Sequence, residues 1–286
     1  MVATPTEKFV QLTAGKVRYL EAGTGDPLLM VHGMGFANSA NTFDTMFDEF
    51  AKHFHVYSLD MLGFGLGDRE LLDAPTFDTI IDTIRELMDH VGIAKAHYIG
   101  HSAGGWVGGL FAYESPERVD KMVMLCSAGL NIEPSAGIGN APSVPTFEQM
   151  KERTAGQFLD KTKATDELMA QIAAPQKKAA DQPNALASLN PLLHQMATPA
   201  IRNRYLLQRR LPHIKAKTLV AWGEGDVMDP YPTWTKEYAS LGGDMSKSEK
   251  PWVIPGAKYV LLPTGHNPHW ERPAETAKLL IDFLKG

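Results

Sequence analysis

Ile99-Gly100-His101-Ser102-Ala103-Gly104-Gly105 is the stretch on which the reading of this chain turns. An apolar run beginning at Ala96 enters it, and a helical pattern from Trp106 to Tyr113 leaves it. The serine sits at the joint, with a glycine two residues away on either side. That spacing has a steric reason: a serine on a sharp strand-to-helix bend brings backbone so close that a Cβ at either flank would collide. The bend lifts the hydroxyl over the end of the sheet. It also points the first N–H groups of the helix, at the positive end of its dipole, toward any oxyanion that forms there.

The patterns on either side supply a frame for this turn. Phe9 to Leu12 and Val17 to Glu21 alternate around Ala14-Gly15 as an opening hairpin. Leu28 to Val31 is a short, wholly apolar run, as expected of a strand covered on both faces, and it ends in His32-Gly33-Met34-Gly35. Phe43 to Phe50 is helical in pattern, and His55 to Leu59 is a second buried strand ending at Asp60. From Phe77 to Val91, Ile80, Ile81, Ile84, Leu87 and Met88 recur on one helical face, and Gly92 stops the helix. Met122 to Leu125, Thr218 to Trp222 and Tyr259 to Leu262 read as further strands, and Ala274 to Leu284 as a closing amphipathic helix.

Between them the rhythm breaks. Asn131 to Pro145 is rich in Gly, Pro, Ser and Asn, a loop composition. From Thr146 to about Leu211 only helical patterns occur: Phe147 to Phe158, Asp166 to Ala173, Leu186 to Met196 and Ile201 to Leu211. The expectation is an α/β fold with a mostly parallel central sheet and helices on both faces. Residues 1–130 and 213–286 form its core, and residues 131–212 a helical lid inserted before the strand that carries an acid.

Composition excludes several functions. The chain has 286 residues, 44% apolar and 21% charged, with a net charge of −5, which gives no electrostatic case for nucleic acid or an acidic membrane. Its single cysteine, Cys126, follows the apolar run Met122-Val123-Met124-Leu125, so no intramolecular disulfide forms and a buried, inert thiol is expected. Met1 to Lys8 lacks an apolar signal core, and no stretch is long enough to span a bilayer, so a cytoplasmic protein is expected. No ligand-spaced cluster such as H-E-x-x-H is present, and the reading needs neither metal nor cofactor. The expected partner is a small apolar substrate, with a homodimer left open.

A serine hydroxyl is a weak nucleophile near neutral pH and needs a base and a group that orients the base. Of the ten histidines, His266 lies just after the last strand in Pro263-Thr264-Gly265-His266-Asn267, where a loop can carry it over the sheet edge. Its neighbour His269 reads as a structural histidine, as does His101, which points away from the bend. Asp226 follows Trp222 through Gly223-Glu224-Gly225 and would reach the same edge; Asp229 is its rival.

The order Ser102, Asp226, His266, with His32-Gly33 after an early strand and a helical insert before the acid, resembles the α/β-hydrolase superfamily from about Phe9 to Leu284. The resemblance implies an oxyanion hole made by the N–H groups of Met34 and Ala103, and a structural role for Asp60. A serine nucleophile sets the chain apart from the dehalogenases and epoxide hydrolases of that fold, which attack with a carboxylate. The lid and Trp270-Glu271 are similar to those of meta-cleavage-product hydrolases, which break carbon–carbon bonds in vinylogous diketones. Two positions differ: Asn267 stands where those enzymes carry a tryptophan, and Gln171-Ile172 where they carry a lid arginine. Arg202 and Arg204 are the remaining cations there, and a solvated helix face is expected for both.

Gly33, Trp106, Met150 and Trp270 are the expected substrate-binding residues, with Met34, Phe36, Phe158 and Met196 adding to the apolar supply. The polar segment from Tyr238 to Pro255 is expected to be a surface loop. The leading expectation is a cofactor-independent serine hydrolase of a small apolar ester or lactone, acting through an acyl-enzyme. The alternatives are a carbon–carbon bond hydrolase of meta-cleavage products and a ligand-binding protein on the same fold.

Overall fold

A computed structural model of the chain describes residues 5–35, 38–71, 73–130, 143–228 and 254–286. Phe36, Asp229, most of the loop that starts at Asn131 and most of the Tyr238 to Pro255 segment lie outside the described residues.

Eight strands form one sheet: β1 (Thr6–Gln11), β2 (Lys16–Ala22), β3 (Pro27–Val31), β4 (His55–Leu59), β5 (Ala96–His101), β6 (Val119–Leu125), β7 (Lys217–Gly223) and β8 (Lys258–Leu262). Their order is β1-β2-β4-β3-β5-β6-β7-β8. The opening hairpin pairs antiparallel and β2 joins β4 antiparallel; every later pairing is parallel. All six residues of β5 are buried, so the strand that feeds the serine runs through the middle of the molecule.

Alternation along the strands splits the apolar residues into two cores. Leu29, Val31, Tyr98, Met122, Met124, Val220 and Trp222 face one side, where α2 (Phe77–His90) and α3 (Ala103–Glu114) cover them. Leu28, Met30, Ile99, Val123, Leu125, Leu219 and Ala221 face the other, under α1 (Asp44–Ala51) and the C-terminal helix Pro273–Lys285. Helix α2 begins with a capping box, in which Thr76 and Thr79 each accept the other's main-chain N–H. Gly92, at φ 75°, takes the left-handed turn that ends it.

The insert is helical, but its segments differ from the periodicity. α4 (Phe147–Gly156) and α5 (Asp166–Ala180) pair, and α5 runs past Ala173 with Pro175 inside it. Burial of Ala173, Ala179 and Ala180 against Met150 holds the helix together where one N–H is missing. The run expected as a helix from Ile201 to Leu211 ends at Tyr205, where Leu206 turns to ψ 140°. Tertiary contacts set this break: the Trp106 indole donates to the Tyr205 carbonyl at 2.8 Å, and Leu207 N–H donates to Gly129 O at 3.3 Å.

Asp60, just past β4, ties the loops over the carboxyl edge. It takes two bonds from the buried Arg18 guanidinium (2.8 and 3.0 Å) and one each from the main-chain N–H groups of Ala40 and Leu66 (2.6 and 2.7 Å).

Candidate active site

Ser102 has φ 52° and ψ −118°, a left-handed backbone rare outside glycine. A position of this kind costs about 1–3 kcal/mol and is held by its surroundings. Ser102 N–H donates to Leu125 O at 3.0 Å, and Ser102 O accepts from Gly105 and Ala128, each at 3.0 Å. The flanking glycines are obligatory. A Cβ on Gly100 would lie 2.3 Å from Gly104 O, and one on Gly104 would lie 2.2 Å from Val31 O.

The loop after β3 closes against the same serine. A Cβ on Gly33 would lie 2.9 Å from Ser102 Cβ. His32 fixes that loop: its Nδ1–H donates to Gly33 O at 2.7 Å, while Nε2 accepts Met61 N–H at 3.0 Å. Accepting at Nε2 requires the neutral ring, and burial drives the His32 pKa down to about 4. The main-chain N–H groups of Met34 and Ala103 find no acceptor among the described residues.

His266 and Asp226 meet at the ends of β8 and β7. The His266 Nδ1–H donates to Asp226 Oδ2 at 2.8 Å, and both side chains are buried. Met228 N–H donates to the other carboxylate oxygen at 2.9 Å. With its proton on Nδ1, His266 keeps Nε2 as an acceptor. The Ser102 hydroxyl makes no hydrogen bond to the described residues in this conformation; such a link tightens when substrate fills a site.

Two further histidines pack close by, His101 against His266 and His269 against His101. His101 Nε2–H donates to the His266 carbonyl at 2.9 Å, which ties the strand before the serine to the loop bearing the base. Burial, and then the neighbouring His269 and His266, hold the His101 pKa well below its ordinary value. His269 is fully buried, with its ring 4.4 Å from that of His101 and neither nitrogen hydrogen-bonded among the described residues. Burial, then His266, lowers its pKa to about 3.

Of the other residues named from sequence, Gly33 lies against the serine. Trp270 is buried with Phe158, Met169 and Ile172, and its indole donates to Thr42 O at 2.8 Å. It also lines a shallow cleft with Asn38, Asn41, Gln171 and Gln176, whose free volume of about 20 Å³ holds about one water. Trp106 is buried against Phe77 and Tyr205, and Met150 lies between the lid helices. Arg202 is buried with its guanidinium 5.4 Å from the centre of the Trp106 ring, which differs from the expected solvated face.

Sequence reasoning missed the work of Glu271. Its buried carboxylate accepts main-chain N–H groups from Leu159 (3.0 Å), Asp160 (2.7 Å) and Gly265 (2.7 Å). Two of these lie between α4 and α5 and one precedes His266. His266 N–H also donates to Gln157 O at 3.1 Å, so the segment after α4 and the loop bearing His266 are locked together. The available signal was a lone acid within the otherwise apolar or uncharged Pro268-His269-Trp270-Glu271.

A strained serine, a loop of free amides and a carboxylate-oriented imidazole can together carry acyl transfer by way of a covalent intermediate. A family model for the alpha/beta hydrolase fold matches residues 26–273, and the chain belongs to that family. It is similar to 2-hydroxy-6-oxo-6-phenylhexa-2,4-dienoate hydrolase of Comamonas testosteroni, 29% identical over 94% of this chain and 91% of that protein. It is 28% identical to 2-hydroxymuconate semialdehyde hydrolase of Pseudomonas sp. (strain CF600), over 92% and 88% of the two chains. The solved 2-hydroxy-6-oxo-6-phenylhexa-2,4-dienoate hydrolase of Rhodococcus sp. strain RHA1 shares the fold, with a TM-score of 0.78 at 21% identity over 99% of this chain and all of that one. The carboxylesterase CesB of Bacillus subtilis also shares it, with a TM-score of 0.75 at 19% identity over 98% and 91% of the two chains. The protein is a hydrolase of this family, and among its described residues no helix is long and apolar enough to cross a membrane.

Proposed function

We propose that this hydrolase cleaves a carbon–carbon bond beside a carbonyl in a small vinylogous diketone of the meta-cleavage type, with Ser102 as nucleophile. The observation that carries the chemistry is the buried 2.8 Å hydrogen bond from His266 to Asp226, beside a serine held at positive φ. The relatives carry the choice of bond: two are named 2-hydroxy-6-oxo-6-phenylhexa-2,4-dienoate hydrolase and 2-hydroxymuconate semialdehyde hydrolase, which favours this reading over the ester reading that composition and motifs had put first.

Ser102 Oγ attacks the carbonyl as His266 Nε2 takes its proton, and Asp226 stabilises the imidazolium. The N–H groups of Met34 and Ala103 receive the oxyanion, each such donor being worth about 10²–10³ in rate. Collapse expels the leaving carbon as a carbanion, which survives because its charge spreads into the conjugated ketone. The His266 imidazolium protonates that carbon. Water, deprotonated by His266, then attacks the acyl-enzyme and frees a carboxylic acid and Ser102.

Gln171 and Ile172 stand where the enzymes this lid resembles carry an arginine, and they line a cleft with Asn38, Asn41 and Trp270. An amide in place of a guanidinium offers a substrate carboxylate no charged partner at this position. A weaker preference for acidic substrates follows.

The test compares turnover of 2-hydroxy-6-oxo-6-phenylhexa-2,4-dienoate, followed by loss of its colour, with turnover of a p-nitrophenyl ester. The proposal expects the larger kcat/KM for the dienoate and loss of both activities in Ser102→Ala. Ester turnover with an untouched dienoate would return the ester reading. A serine inert to both substrates and to a fluorophosphonate would favour a ligand-binding protein.

A further inference from the structure

The proposed mechanism leaves one buried nucleophile unused. Cys126 follows the last residue of β6 and has φ 44°, which turns its side chain toward the end of β7. Gly223 N–H donates to its Sγ at 3.4 Å. The sulfur, an Asp226 carboxylate oxygen and a His266 ring nitrogen all lie within 4.8 Å of one another, and all three residues are buried.

We propose that Cys126, Asp226 and His266 form an inhibitory site for a thiophilic divalent cation of the zinc type. A thiolate, an imidazole and a carboxylate are the donors such ions select. Bonds of about 2.0–2.3 Å in a tetrahedral shell place donors about 3.3–3.8 Å apart. The His266–Asp226 pair, now 2.8 Å apart, opens by about half an ångström, and the sulfur, at most 4.8 Å from either donor, closes by up to about 1.5 Å. Both displacements lie within the reach of side-chain rotation.

Inhibition follows from the tautomer. An ion on Nδ1 takes the place of the proton that His266 now shares with Asp226. The ring retains one proton, which moves to Nε2, the nitrogen that must accept the serine proton. The thiol gives its proton to solvent, so each ion bound releases one proton and leaves a base unable to act. Metal binding itself does not depend on the proposed reaction; only its inhibitory effect rests on that reading.

The experiment adds cobalt(II), and separately zinc(II), to the whole purified chain. Because the sequence has a single cysteine, a near-ultraviolet thiolate-to-cobalt charge-transfer band reports Cys126 alone. The expected result is that band, release of one proton per ion, and turnover reduced about tenfold when zinc is present at ten times its Kd. Cys126→Ser is expected to lose the band and the zinc sensitivity while keeping metal-free turnover. His266→Ala, which retains the thiol, is expected to weaken cobalt binding at least tenfold. Absence of the band in the wild type, or equal zinc inhibition in Cys126→Ser, overturns the proposal. If no substrate is turned over, the band, its loss in Cys126→Ser and the weaker cobalt binding of His266→Ala still decide it.

Discussion

Replacing Glu271 by glutamine takes away a charge that three main-chain amides share. In the native chain those amides, of Leu159, Asp160 and Gly265, lie 2.7–3.0 Å from the carboxylate oxygens. Hydrogen bonds to a buried ion are worth about 1.5–3 kcal/mol each, and a donor left facing another donor costs a further 1–3 kcal/mol. Glutamine keeps the shape and one accepting oxygen but turns an NH₂ toward at least one N–H. The expected loss is about 3 kcal/mol for Glu271→Gln and about 4–5 kcal/mol for Glu271→Ala. Because the carboxylate joins the segment after α4 to the loop bearing His266, kcat is expected to fall more than KM rises. Urea unfolding gives the stability, and steady-state turnover of the dienoate gives the kinetic split. An unchanged midpoint with unchanged kcat in Glu271→Gln would refute the view that this carboxylate holds the two segments in register.

Gly33→Ala places a methyl 2.9 Å from Ser102 Cβ and 3.1 Å from His101 Nδ1, so the loop bearing the Met34 amide must retreat. Turnover is expected to fall about 10²-fold with the global fold intact, as judged by circular dichroism. His32 binds its proton less readily folded than unfolded, its pKa falling from 6.5 to about 4. Its contribution is therefore complete above pH 6.5 and is lost as pH falls toward 4, by about 3 kcal/mol in all. Urea midpoints across that window should drop, and His32→Gln should flatten the slope. His269→Phe replaces a buried ring that makes no hydrogen bond among the described residues, so it is expected to raise the midpoint below pH 6, where protonation of the histidine opposes folding.

How much of this was legible in the chain depended on the range of the cause. The elbow could be read because the collisions that require Gly100 and Gly104 lie within a few residues of Ser102 and one neighbouring strand. The meeting of Asp226 and His266 followed from chain order, since the ends of β7 and β8 must share an edge with β5 in a parallel sheet. Arg202 could not be placed, because only the Trp106 and Tyr205 contacts reveal that its helix face is buried. The same contacts end that helix at Tyr205, against its periodicity. Glu271 was illegible for a related reason: its three partners lie up to 112 residues away, and no local pattern marks them.

Fluorophosphonate labelling, read by peptide mass and by rate, most directly tests whether Ser102, His266 and Asp226 act as a unit. The account predicts a single adduct on Ser102 in the wild type, formed about 10³–10⁴ times more slowly in His266→Ala and in Asp226→Asn. An adduct elsewhere, or equal rates in the wild type and both variants, would contradict it.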